Sequence, residues 1–512
     1  MDTQHLAMLA TFGGYLVLLM VIGYLGDRKH SSSYEGFVSA DKSLGAWTTA
    51  LSSAASSESA WAMVGLSGLG FFRGLPALWA AIGCIVGFIA NSLFVIVQLR
   101  RDSDKFGAIT LSDYLELKLN DRSHMLRMVS ALLITFFMGV YVVAQFVAAG
   151  RILQEMEVLG PGTSYQTAVL AGAVVLGFYI FLGGYAAVCW TDTIQGIMML
   201  LAMVALPLYA LHLAGGPAEV IASLRAQSLM QADGSLLGWG AAGFIFSQMA
   251  IGMGYQGMPH MVVRYITVKD QRAARQAAVI SVAWGTIALL GSALLGIIAR
   301  GLYPLDATGC SVAGFCAPTQ KAAESILAFF ALNNLPPALA GLVLAAVAAA
   351  IMSTADSQLM YAATALVNDF FLSFSKRKPG KRKLVWLTRG VIIAITAVAA
   401  GVAMQEIKVI YSFVLFAWGA LGAAFTPLVL LSLYWKSLNR WGALASMLSG
   451  PATIVLWHSE AVKTTLTSLD PTLYSGAFEL IPGCVISTLA AMAVSLATQT
   501  QGLKKKGPTP LE

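Results

Sequence analysis

Residues 52–59 of this chain have the sequence Ser-Ser-Ala-Ala-Ser-Ser-Glu-Ser, and they interrupt an apolar segment that runs from about residue 45 to about residue 70. A helix of that length can cross the ~30 Å hydrocarbon core of a bilayer. Polar residues at mid-membrane favour a broken helix, whose freed carbonyls must face protein or a cavity because lipid cannot satisfy them. We therefore expect the chain to expose backbone oxygens inside the membrane at this point.

Apolar segments of this kind recur along the whole chain. Hydrophobic residues make up 57% of the 512 residues and charged residues only 11%, whereas a soluble domain has roughly 25% charged residues. This composition excludes a soluble enzyme and predicts an all-α polytopic protein with thirteen spans in the lipid bilayer. The predicted spans lie near residues 6–26, 45–70, 76–98, 126–156, 164–184, 187–213, 238–260, 275–303, 336–371, 384–404, 408–434, 441–458 and 479–498.

The seventh predicted span is also interrupted, by Gly-Met-Gly-Tyr-Gln-Gly at residues 252–257. The two interrupted spans are five apart in order, so an inverted repeat of five plus five helices would place them in equivalent positions. Paired interrupted helices indicate the binding site of a transporter. The alternative is that these small residues only allow close helix packing.

The loops predict the orientation. The net charge of +7 does not indicate nucleic-acid binding, because the basic residues are clustered in short segments between spans. All of these segments fall on one side if the N-terminus is outside, and the positive-inside rule makes that side cytoplasmic. We expect a multi-pass protein of the bacterial inner membrane with a cytoplasmic C-terminus. The basic residues are Arg28, Lys29, Arg100, Arg101, Lys105, Lys118, Arg122, Arg264, Lys269, Arg272, Arg275, Lys376 to Lys383, Lys436, Arg440 and Lys504 to Lys506.

Four stretches of the sequence resemble the sodium/solute symporter family. Gly183–Gln195 (GGYAAVCWTDTIQ) and Ala350–Gln358 (AIMSTADSQ) are similar to family signatures. Tyr255 with Met258-Pro259-His260 and Arg264, and the stretch Leu415–Pro427, resemble the sodium/proline symporter branch. The resemblance runs from about residue 34 to about residue 440.

The resemblance implies a LeuT-type fold and sodium-driven solute uptake by alternating access. On this basis residues 1–512 form one transporter domain, in which residues 45–213 and 238–434 are the two repeats. The span at 6–26 and the two spans within 441–498 are then additions to the repeats. The expected partners are a small solute, most simply an amino acid such as proline or a similar zwitterion, and the sodium ion. Sialic acid, sugar, pantothenate and monocarboxylate remain alternative solutes, and proton coupling remains an alternative to sodium coupling.

The candidate sodium site combines hydroxyl and carbonyl oxygens, which suit a hard cation. Ser353 and Thr354 offer two hydroxyls in the ninth span, and the broken second span could add carbonyls from Ala55 and Glu58. The carbonyl of Ala350 could complete the set, and the resemblance implies that these positions form the main sodium site. The alternative is that both hydroxyls only bond their own helix.

Acidic residues at membrane depth usually mark ion paths or substrate partners. Some family members have a second sodium site near positions that match Asp192, Ser353, Asp356 and Ser357. Asp356 replaces a more common hydroxyl there. The alternatives are that Asp192 caps a helix near the interface and that Asp356 has a structural hydrogen-bonding role.

The candidate substrate pocket lies at the two breaks. Here the acidic residue of the second span is displaced by one position from the proline-branch pattern, which on a helix is a rotation of about 100°. The alternative for each pocket residue is core packing. The candidates are Ser57, Glu58, Trp61, Tyr141, Gln145, Gln248 and Tyr255.

Other classes of protein fit the sequence less well. No G-x-x-x-x-G-K-[ST] motif is present, so ATP is not expected to drive transport, and no covalent intermediate or enzymatic reaction is expected. A membrane sensor and a passive channel are the alternatives from other classes. Cys310 and Cys316 follow the eighth span and either pair in an oxidising compartment or remain free thiols. The sequence leaves open the number of sodium ions and the oligomeric state.

Overall fold

The computed structural model describes residues 3–30, 33–155, 160, 162–229, 245–375, 379–405, 410–469 and 478–505. Helices dominate, and the described residues contain isolated β-bridges but no strand. The α-helices are Thr3–His30, Tyr34–Ser39, Ala46–Ser57, Leu66–Arg73, Leu78–Asn91, Val97–Phe106, Leu111–Lys118, Met125–Glu155, Tyr165–Leu213, Pro217–Ala226, Pro259–Thr267, Gln271–Leu302, Gln320–Ala323, Ile326–Asn334, Pro337–Thr364, Leu372–Phe374, Lys381–Ala403, Ile410–Tyr434, Arg440–Trp457, Glu460–Leu469 and Leu480–Lys505.

Nine helices in the described ranges are long and apolar enough to cross a membrane. The predicted fifth and sixth spans form one helical run, Tyr165–Leu213, which is kinked at Gly184. Gly184 has a φ of 62°, a backbone conformation that is strained for any residue with a side chain, so glycine permits the kink there. Part of the predicted seventh span, residues 238–244, lies outside the described residues.

The second span is broken where the sequence predicts. The helix Ala46–Ser57 ends at Glu58, whose φ of −95° and ψ of 72° are not helical. The chain resumes as a π-helical turn, Trp61–Gly65, and then as the helix Leu66–Arg73. Serine side chains help to end the helix Ala46–Ser57, because their hydroxyls compete for its backbone carbonyls. Ser57 Oγ donates to the Ala54 carbonyl at 2.8 Å.

The described part of the seventh span is also irregular. An apolar helix, Ile245–Gly254, tightens into a 3₁₀ turn at Ala250–Gly254, and the helix Pro259–Thr267 follows. This break packs closely on the third span. A Cβ atom added to Gly252 would lie 2.0 Å from the Gly83 carbonyl oxygen, so the two backbones are in direct contact.

Replacing Gly252 by alanine should therefore destabilise the protein. Overpacking of a tight contact typically lowers the free energy of unfolding by about 1–3 kcal/mol, and we expect a loss of this size from the one methyl group added here. Thermal unfolding in detergent measures the effect. Gly390→Ala is the matched control, because Gly390 lies in an exposed part of a helix with nothing within 4 Å of its added Cβ. Equal unfolding temperatures for the two variants would show that the contact is absent.

The helices form one packed body around the two breaks. The first span packs against the sixth and ninth spans, and the last two spans pack against each other and against the eleventh. The ninth span, Pro337–Thr364, is the most enclosed, and every residue from Val343 to Thr364 is buried. Its Ser and Thr hydroxyls therefore face protein rather than lipid.

Candidate functional site

Four predicted sodium ligands lie together at the break of the second span. Ser353 Oγ donates to the Ala55 carbonyl at 2.9 Å and contacts the Ala350 carbonyl at 3.2 Å. Thr354 Oγ1 also contacts the Ala350 carbonyl, at 3.2 Å. All four residues are buried. The hydroxyls therefore bond both their own helix and the facing span, so back-bonding within one helix does not account for them.

One oxygen of this cluster was missed by the sequence reasoning. The Ser56 carbonyl accepts from Thr354 Oγ1 at 3.1 Å. Because the helix ends at Glu58, the Ala55 and Ser56 carbonyls lie within its last four residues and lose their partners in the helix. The Glu58 side chain turns away from this cluster and toward the seventh span. Two hydroxyls and three carbonyls can hold a cation of one charge, since oxygen ligands suit hard cations.

The carboxylate of Glu58 lies against an aromatic cluster. The hydroxyl of Tyr255 donates to Glu58 Oε1 at 2.5 Å, and Ser57 Oγ lies 3.4 Å from the same oxygen. The Tyr255 ring lies between Phe88 and Trp418, at centroid distances of 4.6 and 5.0 Å. Sequence reasoning did not select Phe88 or Trp418, although Trp418 falls within one of the family-like stretches.

Two amide side chains near the breaks have buried atoms that make no hydrogen bond to the described residues. Both amide atoms of Gln145 are in this state, and so is Oε1 of Gln248. Tyr141, one turn before Gln145, lies 3.4 Å from Ser59 Oγ through its hydroxyl. The predicted pocket residue Trp61 is buried in the π-helical turn of the second span. Buried polar groups are nearly always satisfied, so the glutamines are suited to bind a polar ligand.

The predicted second sodium site contains a guanidinium group. Arg264 Nη2 donates to Asp192 Oδ2 at 2.8 Å and also contacts Ser357 Oγ. Ser52 Oγ donates to the same oxygen of Asp192 at 2.6 Å and accepts from Arg264 Nε at 2.6 Å. Asp192 is fully buried, so it does not cap an exposed helix end. The sequence places Arg264 in a family-like motif but does not indicate that it belongs to this site.

Asp356 lies beside that ion pair. Its Oδ1 accepts from Ser357 Oγ at 3.2 Å, while its Oδ2 has no hydrogen bond to the part of the chain that the structure describes. Two buried carboxylates and one guanidinium leave one negative charge uncompensated if both acids are ionised. A buried charge is costly without a partner. The cluster can therefore accept one further cation or one proton.

Comparisons with known proteins identify the family of this chain. The model of the sodium:solute symporter family matches residues 37–450. The osmoregulated proline transporter of Bacillus subtilis is 31% identical over 97% of this chain and 96% of its own length. The high-affinity proline transporter of Bacillus subtilis is 32% identical, with 94% and 96% covered, and the sodium/proline symporter of Escherichia coli is 31% identical, with 96% and 93% covered.

Solved structures show the fold. A Na⁺-coupled sialic acid symporter superposes with a TM-score of 0.76 at 17% identity, over 96% of this chain and 98% of its own. MhsT, solved in complex with L-phenylalanine, has a TM-score of 0.51 at 14% identity, over 88% and 98%. The predicted LeuT-type inverted repeat is thus confirmed.

The family model covers well over half of the chain, and the curated relatives match almost all of it. The chain is a multi-pass membrane protein that belongs to the sodium:solute symporter family.

Proposed function

We propose that this protein couples sodium entry to the uptake of a small zwitterionic amino acid of the proline class. The observation that carries the proposal is the convergence of buried oxygens from the Ala55, Ser353 and Thr354 positions at the break of the second span. Glu58, three residues beyond Ala55, directs its carboxylate to the aromatic cluster. An ion site and a solute pocket thus share one interrupted helix.

Sodium binding would tie the second span to the ninth span. Ala55 belongs to the second span, whereas Ser353 and Thr354 belong to the ninth, so one ion bridges two elements that alternating access must move. If sodium binds more tightly to the arrangement of helices that binds the solute, sodium raises the affinity for the solute. The solute then raises the affinity for sodium by the same factor. A membrane potential adds about 2.3 kcal/mol per charge for each 100 mV.

The solute would lie against Glu58 and the aromatic rings. The carboxylate suits an ammonium group, and the rings of Tyr255, Phe88 and Trp418 suit an apolar ring beside it. Gln145 and Gln248 would offer amide groups to the solute carboxylate. The names of the relatives, which are proline transporters at 31–32% identity, support proline as the first solute to test.

A competition screen tests the solute class directly. Purified protein in liposomes takes up labelled proline in sodium, and unlabelled amino acids, betaines, sugars, sialic acid, pantothenate and monocarboxylates are added in excess. We expect secondary and small neutral amino acids to compete most strongly. Strong competition by a sugar or a monocarboxylate, with none by any other amino acid, would rule out the zwitterion assignment.

The second cluster supports a second cation site as a further proposal. Asp356 and Asp192 would share that cation with the Ser353 and Ser357 hydroxyls, while Arg264 holds Asp192 in place. Sodium flux measured per solute transported would distinguish one ion from two. Asp356→Ser, which replaces the carboxylate by the more common hydroxyl, is the variant to compare with wild type in this measurement.

We also propose that the N-terminus lies outside the cell and the C-terminus in the cytoplasm. The basic loops support this orientation. The disulfide between Cys310 and Cys316, in the loop after the eighth span, supports an oxidising compartment on that side.

After reduction, Cys310 and Cys316 should react with an impermeant thiol reagent from the periplasmic side alone. The other three cysteines are buried and should react slowly, and a variant that lacks Cys310 and Cys316 is the control. Spheroplasts and inverted vesicles present the two faces. Labelling from the cytoplasmic face alone would reverse the proposed orientation.

A further inference from the structure

An apolar cavity lies between the first, fourth, fifth and ninth spans. Its volume is about 140 Å³, and every residue that lines it is apolar. Packed protein interiors contain few voids larger than a water molecule, so a cavity of this size among helices is unusual. The lining residues that matter here are Phe12, Leu16, Ala171, Val175, Ile351 and Met352.

The cavity lies at the depth of the hydrocarbon core. Phe12 lies six residues inside the first apolar span, Leu6–Leu25. Val175 lies ten residues inside the helical run Tyr165–Leu213, which begins with the fifth span. With a rise of 1.5 Å per residue, these two residues lie about 9 Å and about 15 Å from the starts of their helices. The surroundings of the cavity are therefore the apolar core of the bilayer, which is ~30 Å thick, rather than the headgroups.

The cavity opens beside a lipid-facing stripe of the fifth span. Exposed apolar side chains recur there at every fourth residue, which places them on one face of the helix. The stripe consists of Leu170, Val174 and Phe178. Ala171 and Val175 each follow a member of the stripe by one residue and are half-buried, as is Leu16 on the first span. Phe12 and Met352 are buried, so the cavity extends from the lipid-facing surface to the ninth span.

The lining of the cavity selects an apolar occupant. A buried water needs two to four polar partners, and the lining residues offer no polar side chain. In other proteins, an apolar cavity of about 150 Å³ stays dry and admits a molecule of the size of benzene. A void also deprives its lining atoms of contacts on one side, so an occupant that restores them is favoured. Within the hydrocarbon core, the molecules available to do so are lipid acyl chains.

We propose that this cavity binds the methyl end of one phospholipid acyl chain, which enters from the lipid-facing side of the fifth span. The chain packs against four spans and reaches Met352, the residue before Ser353. Tyr15 of the first span donates its hydroxyl to Met352 Sδ at 3.7 Å and accepts from Gln195 Nε2 of the sixth span at 3.0 Å. The bound chain therefore stabilises the packing of the first span on the helix that carries Ser353. This inference does not depend on which solute is transported.

Photolabelling in nanodiscs of phosphatidylethanolamine and phosphatidylglycerol tests the site. The probe is a phosphatidylglycerol with a diazirine at the methyl end of one acyl chain, and mass spectrometry locates the labelled residues. We expect labelling of Ile351 or Met352, which are buried and out of reach of lipid that stays on the outer surface. Val175→Phe and Ala171→Phe, which fill the cavity, should each lower this labelling at least about fivefold. Val174→Phe is the matched control, because Val174 is 60% exposed on the same helix and outside the cavity, and it should label as wild type.

Three results would overturn the inference. The first is wild-type labelling confined to the exposed stripe of the fifth span, with none on the ninth, which would identify annular lipid only. This pattern decides even if neither filled variant folds. The second is equal labelling of the ninth span in wild type and in both filled variants. The third is labelling of the ninth span by a free fatty acid with the same diazirine but not by the phospholipid, which would make the occupant a free acid.

Discussion

Replacing Ser353 or Thr354 by alanine should raise the sodium concentration for half-maximal uptake at least about tenfold, which corresponds to about 1.4 kcal/mol. Each change removes one of two hydroxyls from the cluster of five oxygens that Ala55, Ser56 and Ala350 complete with their carbonyls. The half-saturation for the solute, measured at saturating sodium, should change much less. Uptake into liposomes as a function of sodium concentration measures both quantities.

Thr364→Ala is the control for these variants. Thr364 lies on the same helix, but its hydroxyl donates to the Met360 carbonyl of that helix at 2.8 Å. It should leave sodium activation near the wild-type value. If Ser353→Ala and Thr354→Ala also leave the sodium half-saturation unchanged, the oxygen cluster is not the coupling site.

Glu58→Gln should have the largest effect on solute affinity. We expect the solute concentration for half-maximal uptake to rise at least about thirtyfold, or about 2 kcal/mol, because truncating one partner of a buried charge pair costs 2–5 kcal/mol. Glutamine keeps the size of the side chain, the backbone carbonyl and an acceptor for Tyr255, while it removes the charge and replaces one acceptor oxygen by an NH2 donor. Sodium activation should be nearly preserved. Labelled solute uptake at fixed sodium measures the change.

Tyr255→Phe distinguishes the contribution of the Glu58 charge from that of the hydrogen bond it accepts. It removes the hydroxyl that donates to Glu58 but keeps the ring between Phe88 and Trp418, so its effect should be several times smaller. Two other results for Glu58→Gln would contradict the assignment. Unchanged solute affinity with an altered pH dependence of transport would make Glu58 a proton carrier. No change in either would make it a structural residue.

The cluster of five oxygens was largely predictable because its signals are local. A run of serines inside an apolar segment predicts a break, and adjacent hydroxyls on a buried helix predict oxygen ligands. The structure places Ala55, Ala350, Ser353 and Thr354 together as expected. It adds the Ser56 carbonyl, whose orientation depends on where the helix ends, a detail that composition does not give.

The long-range pairs were not predictable in the same way. Arg264 was visible in a motif, but its bond to Asp192 spans 72 residues and depends on how the sixth and seventh spans pack. The same holds for Arg151 and Glu324, which come together only because the loop after the eighth span folds back over the fourth. Phe88 and Trp418 meet Tyr255 from two different spans. A hydropathy pattern assigns each of these residues to a helix or loop, but it does not pair them.

The most direct test of sodium coupling is accumulation of labelled proline in liposomes that contain only this protein. With sodium outside and potassium inside, we expect the internal proline concentration to rise transiently above the external one and to collapse when a sodium ionophore dissipates the gradient. With equal sodium on both sides and no membrane potential, proline should only equilibrate. Equilibration without accumulation under the sodium gradient, or accumulation that persists when potassium replaces all sodium, would contradict sodium coupling.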